Sequence, residues 1–146
     1  MLKPVSFFLA RVLPHADAFM LRLTHGKRTI TQIAGLPVIQ LISTGAKTGQ
    51  PRLSPLVGVI DGEKIALIAS NFGQKHNPGW YYNLKANPQC FVQFNGRSGM
   101  YRAREAAGDE REAYWQTAVS YYKGYEAYRR RAAPRRIPVI VLEKVE

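Results

Sequence analysis

The chain has 146 residues, 46% of them apolar, and no composition shift along its length, which predicts one globular domain with a core of its own. Lys and Arg number 21 against 10 Asp and Glu, and the net charge of +11 favours an anionic partner such as a phosphate, a nucleic acid or an acidic membrane. Cys90 is the single cysteine, which excludes a disulfide framework and a thiolate metal cluster and makes a reducing cytoplasm the expected setting.

The first elements are two short helices, Val5 to Leu13 and Asp17 to Thr24, separated by Pro14 and stopped by His25-Gly26. The stretch VSFFLARVL is broken by Arg11 and falls short of the ~20 apolar residues of a membrane span, so these helices read as an amphipathic lid with a possible interfacial role. A buried strand follows over Val38 to Ser43, then the loop TGAKTGQP, then a strand from Arg52 to Ile60. Asp61-Gly62 signals a tight turn into a strand over Lys64 to Ser70. Asn71 to Asn77 is a second glycine-containing loop, and PGWYYNLKANP a short helix with proline at its start. Strands Gln89 to Phe94 and Met100 to Glu105 flank the turn NGRSG. Asp109 is the expected cap of a long helix running to Arg131, acidic at its start and basic at its end. A strand over Ile137 to Glu143 closes the chain. Six strands in mostly antiparallel order with few helices predict an α+β fold built on a small barrel.

TGAKTGQPR is the most distinctive stretch. It is not a P-loop, because Ala46 precedes Lys47 where glycine is required and a strand follows where a helix is required. Its glycines, Thr44, Thr48, Lys47 and Arg52 nevertheless form a donor set suited to an anion. A solvated turn is the competing reading of the same residues. No His-Asp-Ser or Cys-His constellation accompanies it, since His15, His25 and His76 fall on different segments.

TGAKTGQPR, the downstream IASNFGQKHNPGWYYNLKANP, and YYKGYEAY followed by IPVIVLE occur in the order and spacing of one family. From about Thr29 onward the chain resembles the deazaflavin-dependent nitroreductase family. The resemblance implies a split β-barrel of the FMN-binding type, coenzyme F420 as hydride carrier, and a quinone or nitroaromatic acceptor. It divides the single domain into a helical segment over 1–28 and a cofactor-binding barrel over 29–146. It also implies that Lys47, Thr48, Gly49, Gln50 and Arg52 hold the cofactor's phosphate and acidic tail. Pro55 and Leu56 would lie along the deazaflavin, and Ala69, Ser70, Asn71, Gly79 and Trp80 would border its rings. Family members often carry arginine where this chain has Ala46 and lysine where it has Asn71, which keeps FMN as the alternative cofactor and gives Lys75 and Lys85 the role of compensating cations.

In the same family the counterparts of Tyr122, Tyr125 and Tyr128 line the acceptor pocket, where their hydroxyls would serve the acceptor, as would that of Ser70. Gly124 interrupts this helix and marks a break or a flap. Arg129, Arg130, Arg131, Arg135 and Arg136 read as a solvated helix end that complements the dipole. A basic nucleic-acid-binding domain is the rival class, but no RNP, KH or helix-turn-helix pattern appears and no nucleic acid is expected. A homodimer and peripheral membrane contact through the N-terminal helix complete the expectations.

Overall fold

A computed structural model describes residues 36–145. The two N-terminal helices, the lid and membrane roles given to them, and His15 and His25 lie outside the described residues. The elements are β1 (Val38–Thr44), β2 (Pro51–Asp61), β3 (Lys64–Ile68), α1 (Gly79–Ala86), β4 (Gln89–Phe94), β5 (Arg97–Glu105), α2 (Gly108–Tyr121), α3 (Gly124–Ala132) and β6 (Val139–Lys144). The strands close into a barrel in the order β1-β2-β3-β6-β5-β4, with every neighbouring pair antiparallel. Closure gives every strand two neighbours, although among the described residues the first part of β2, Pro51 to Val57, pairs with β1 alone.

Strand alternation sorts the apolar residues into layers. Ile39, Leu41, Ile65, Leu67, Val92, Ile140 and Leu142 fill the interior, and Trp80, Tyr81 and Leu84 of α1 join the same cluster. Val59, Ala66, Ile68, Val139 and Val141 point outward and are covered by Tyr114, Trp115 and Ala118 of α2 and Tyr125 and Ala132 of α3. Ile42 and Phe91, with Leu53 and Met100, form a third cluster. Cys90 lies in the interior, where burial pushes its thiol up to about 12 and leaves it without thiolate character at neutral pH.

The registers decide where the loops go. β1, β3 and β5 run toward one end of the barrel and β2, β4 and β6 run back. Loop 45–50, the 69–86 segment and the 106–138 excursion therefore all open at the same end. The opposite end carries the tight turns after β2 and β4. Asn95 and Gly96 both have positive φ and form the turn between Phe94 and Arg97, so β5 starts three residues before the expected Met100. In the β2–β3 turn Asp61 pairs with Lys64, so the central residues are Gly62 and Glu63, not Asp61-Gly62, and only Gly62 has positive φ.

The expected long helix is two. Its N-cap is Ala107, without a side-chain bond, so Asp109 sits inside the first turn with Glu110 and serves the dipole there. The chain leaves helical geometry at Tyr122 (φ −151, ψ 109) and re-enters it at Gly124. A Cβ at Gly124 would lie 2.2 Å from Cζ of Tyr122, so the glycine makes room for that ring to fold back over the break.

Candidate active site

Loop 45–50 is a compact hairpin connection held from within. Gly45 N–H donates to Gln50 O (2.8 Å), Gly49 N–H to Gly45 O (2.9 Å) and Gln50 N–H to Thr48 Oγ1 (3.2 Å). The glycine amides expected to meet an anion are thus spent on the loop itself, and Gly49 and Gln50 supply shape. Donors remain in the side chains: Lys47 and Arg52 are exposed, and neither is in an ion pair among the described residues. Thr48 Oγ1 also accepts from Arg52 Nη2 at 3.4 Å, which leaves the hydroxyl's own proton to donate. Two unpaired cations and a hydroxyl on one short loop suit a phosphate-bearing, anionic group.

Asn83, which sequence reading passed over, anchors this loop to α1. Its Oδ1 accepts from Ala46 N–H (2.9 Å), and its Nδ2 donates to Oγ of Ser43 (3.3 Å), a fully buried polar side chain. The available signal is an amide among the inward-facing Trp80, Tyr81 and Leu84 of α1.

The segment after β3 is unusual in its backbone. Asn71 (φ 49), Phe72 (φ 57) and Gly73 (φ 79) are successive left-handed residues. For non-glycine residues this costs roughly 1–2 kcal/mol each, less for asparagine. A Cβ on Gly73 would lie 3.0 Å from Cα and O of Tyr128 and from Cβ of Arg131, so glycine alone lets the loop lie this close to α3. The compensation comes from cations. Arg135 donates to Gln74 O (2.9 Å), Ala69 O (3.1 Å), Asn77 Oδ1 (2.6 Å) and Ser70 O (2.8 Å). Arg131 donates to Phe72 O (2.9 Å), and Lys75 Nζ to Arg131 O (2.8 Å) and Ala133 O. At ~1.5–3 kcal/mol for a bond to a charged group, these contacts outweigh the backbone strain. Burial lowers the Arg135 guanidinium pKa from its ordinary value.

The basic cluster is therefore only partly a solvated helix end. Arg129 pairs with Glu126 and lies over the Trp115 ring, while Arg131 and Arg135 build the 69–77 loop. Neither expected compensating cation is free: Lys75 caps the C-terminus of α3, and Lys85 sits 3.9 Å from Glu105 and over the Tyr81 ring.

The tyrosines form one aromatic cluster. Tyr125 is 7% exposed and packs against Trp115, with Tyr122 and Tyr128 edge-on to its ring. Tyr122 and Tyr128 bring their hydroxyls to 3.3 Å, and Phe72 meets Tyr128 edge-on at 6.1 Å. Tyr122 is 38% exposed and Phe72 55%, so the cluster has an open aromatic rim. Burial pushes both Tyr125 and Tyr128 up to about 12. They stay protonated at neutral pH, as hydrogen-bond donors require.

The remaining expected residues divide by burial. Ser70 stands at the start of the left-handed turn, and its hydroxyl does not cap it. Asn71 Nδ2 donates to His76 O, so both residues shape the loop. Gly79 opens α1 with free space around it. Ala69 and Trp80 are core side chains, which leaves their backbone to border a ligand. Leu56 packs against the barrel interior, whereas Pro55 pairs with Gln40 and belongs to the opposite face of β2.

Comparison with known proteins identifies the family. The family model described as F420H(2)-dependent quinone reductase matches residues 15–144. The F420H(2)-dependent quinone reductase Rv1261c of Mycobacterium tuberculosis is 34% identical over 111 residues, covering 74% of this chain and 74% of that protein. A solved structure of an F420-H2 dependent reductase superposes with a TM-score of 0.68 at 40% identity, over 73% of this chain and 94% of the other. A second structure, described as a domain-swapped dimer, matches with the same score and identity over 73% of this chain and 80% of its own. A family model that spans residues 15–144 and a relative 34% identical over 74% of both chains show that the chain belongs to the F420H(2)-dependent quinone reductase family.

Proposed function

We propose that the 29–146 unit is a reductase that takes a hydride from reduced coenzyme F420 to a quinone, binding the coenzyme along the barrel end between loop 45–52 and the 69–80 segment. The observation that carries this reading is the common address of the parts. Cations outside any ion pair among the described residues, a strained loop bearing Ser70 and a hydrogen-bonded tyrosine pair all open at one end of the barrel. The donor set fits the coenzyme. Lys47, Arg52 and Thr48 would hold the phosphate and acidic tail, and the backbone at Ala69, Ser70, Asn71, Gly79 and Trp80 would border the rings. When bound, the reduced deazaflavin supplies the hydride.

The protein's part is position and electrostatics. Two-electron reduction of a quinone consumes one hydride and one proton, and negative charge develops on an acceptor oxygen before that proton arrives. Tyr128, paired with Tyr122, donates a hydrogen bond to that oxygen. Its hydroxyl, pushed up to about 12 chiefly by burial, is protonated at neutral pH and can donate that bond, and solvent is the proposed source of the consumed proton. Tyr125 acts as the buried platform under both rings. Nitroaromatics also develop charge on oxygen and form a second acceptor class for the same pocket.

The domain-swapped relative supports reading this chain as a homodimer, which sedimentation would decide. Among the described residues no helix is long and apolar enough to cross a membrane. Peripheral contact through residues 1–24 remains part of the proposal and would appear as co-sedimentation with anionic vesicles. The function itself is tested by mixing the protein anaerobically with reduced coenzyme F420 and menadione. Recovery of the oxidised coenzyme's absorbance is expected. A folded protein that oxidises it with neither quinone nor nitroaromatic contradicts the reading.

A further inference from the structure

We propose that Arg135 is the positioning residue of this site: its guanidinium fixes the backbone on both sides of Ser70 and locks the 69–77 loop to the tyrosine-bearing helix α3. The functional consequence rests on the reading of the site given above. Ala69 O belongs to the peptide plane before the Ser70 Cα and Ser70 O to the plane after it, and Arg135 donates to both, at 3.1 and 2.8 Å. Fixing both planes fixes φ and ψ of Ser70, and with them the direction of its Cβ. The same guanidinium reaches Gln74 O and Asn77 Oδ1, so it spans the loop from its first residue to its last.

Two further pins run between the loop and α3, in opposite directions. Arg131 donates into the loop at Phe72 O, and Lys75 donates out of it to the carbonyls of Arg131 and Ala133. Backbone at Gly73 lies directly against Tyr128. Loop and helix therefore shift together, and the separation between Ser70 and the Tyr122–Tyr128 hydroxyls is set by this clamp. Lysine cannot replace the residue, because one ammonium cannot address acceptors that a planar fork of donors spans.

The test uses the full chain with Arg135→Ala and Arg135→Lys, and Arg136→Ala as the neighbouring-charge control. Hydrogen exchange is read at the amides of Gly73 and Gln74, which donate to Ser70 O and Asn71 O. Both Arg135 variants are expected to exchange there about tenfold faster or more, by local opening of the loop, while Arg136→Ala exchanges as wild type. In quinone reduction kcat is expected to fall about 10- to 100-fold with the coenzyme KM within about threefold, the pattern of misplacement without lost binding. Millimolar methylguanidinium is expected to restore rate to Arg135→Ala. Wild-type exchange and kcat in the Arg135 variants would overturn the proposal. So would matched losses in kcat and coenzyme KM without guanidinium rescue, which mark general destabilisation. If Arg135→Ala does not fold, Arg135→Lys decides by the same readouts. An inactive wild-type protein would refute the reductase reading instead, and exchange alone would then decide the clamp.

Discussion

Replacing Gly124 by alanine separates the role of the Tyr122 ring from the stability of the helix beneath it. The new Cβ would lie 2.2 Å from Cζ and 2.4 Å from Cε2 and Oη of Tyr122. Ordinary carbon contacts begin near ~3.5 Å, so the ring must retreat by more than ~1 Å. The three atoms nearest the new Cβ all belong to the far end of that one flexible side chain, so the ring is what yields. Retreat breaks the 3.3 Å contact with the Tyr128 hydroxyl and loosens ring packing against Tyr125 and Tyr128 at 5.5 and 6.0 Å. Lost ring pairs cost roughly 0.5–1.5 kcal/mol each, while alanine gains up to ~1 kcal/mol in helix propensity, so net stability should change by only about 1 kcal/mol. Loss of one hydrogen-bonding group from the acceptor pocket is worth ~0.5–1.5 kcal/mol, or about a 2- to 13-fold fall in kcat/KM for menadione. Coenzyme affinity should not move. Thermal denaturation, coenzyme titration and acceptor kinetics on the one variant check all three statements. Acceptor kinetics identical to wild type would place Tyr122 outside the pocket and refute the reasoning.

Lys47→Ala and Arg52→Ala should each weaken coenzyme binding by ~1.5–3 kcal/mol with little change in Tm, since both side chains are exposed and outside ion pairs among the described residues; fluorescence titration measures this, and unchanged affinity in both removes the loop from the site. Asn83→Ala leaves the exposed Ala46 N–H to water and takes the donor from the buried Ser43 hydroxyl, so urea denaturation should show a loss of ~1–3 kcal/mol, and coenzyme affinity should fall although Asn83 acts through the loop. Affinity at the wild-type level would show that the loop keeps its shape without the anchor. Because burial pushes Tyr125 and Tyr128 up to about 12, acceptor turnover should show no ionisation of either of these two between about pH 6 and 9. Stability should behave differently at high pH. Unfolded tyrosine loses its proton near ~10 while buried Tyr125 keeps it to about 12, so the unfolded state binds fewer protons and stability falls as pH rises through that window. Tyr125→Phe should make the alkaline limb of a pH–stability curve shallower, and an unchanged limb would contradict the assigned shift.

Much of the barrel is legible in the chain because alternation is a local signal. Ile39 and Leu41 declare one face of β1, and Asn95-Gly96 declares the turn that pairs β4 with β5. The helix break is half legible: Gly124 marks it, but the reason is the folded-back ring of Tyr122. What periodicity cannot carry is a contact between distant segments. Arg135 reads as one more cation after a helix, yet its partners Ala69 and Ser70 lie 66 and 65 residues earlier. Asn83 likewise meets Ala46 across 37 residues. The place of Pro55 and Leu56 along the deazaflavin comes from the family resemblance alone, since strand alternation says only that they face opposite sides of β2.

Titration of the full chain with coenzyme F420, oxidised and reduced, beside an identical titration with FMN, tests the central claim most directly. Saturable fluorescence change with the deazaflavin, weak response to FMN, and loss of the former in Lys47→Ala are the expected results. Preference for FMN, or binding of neither, would contradict the account. It would mean that Ala46 and Asn71 leave this barrel end too poorly charged for the deazaflavin's acidic tail.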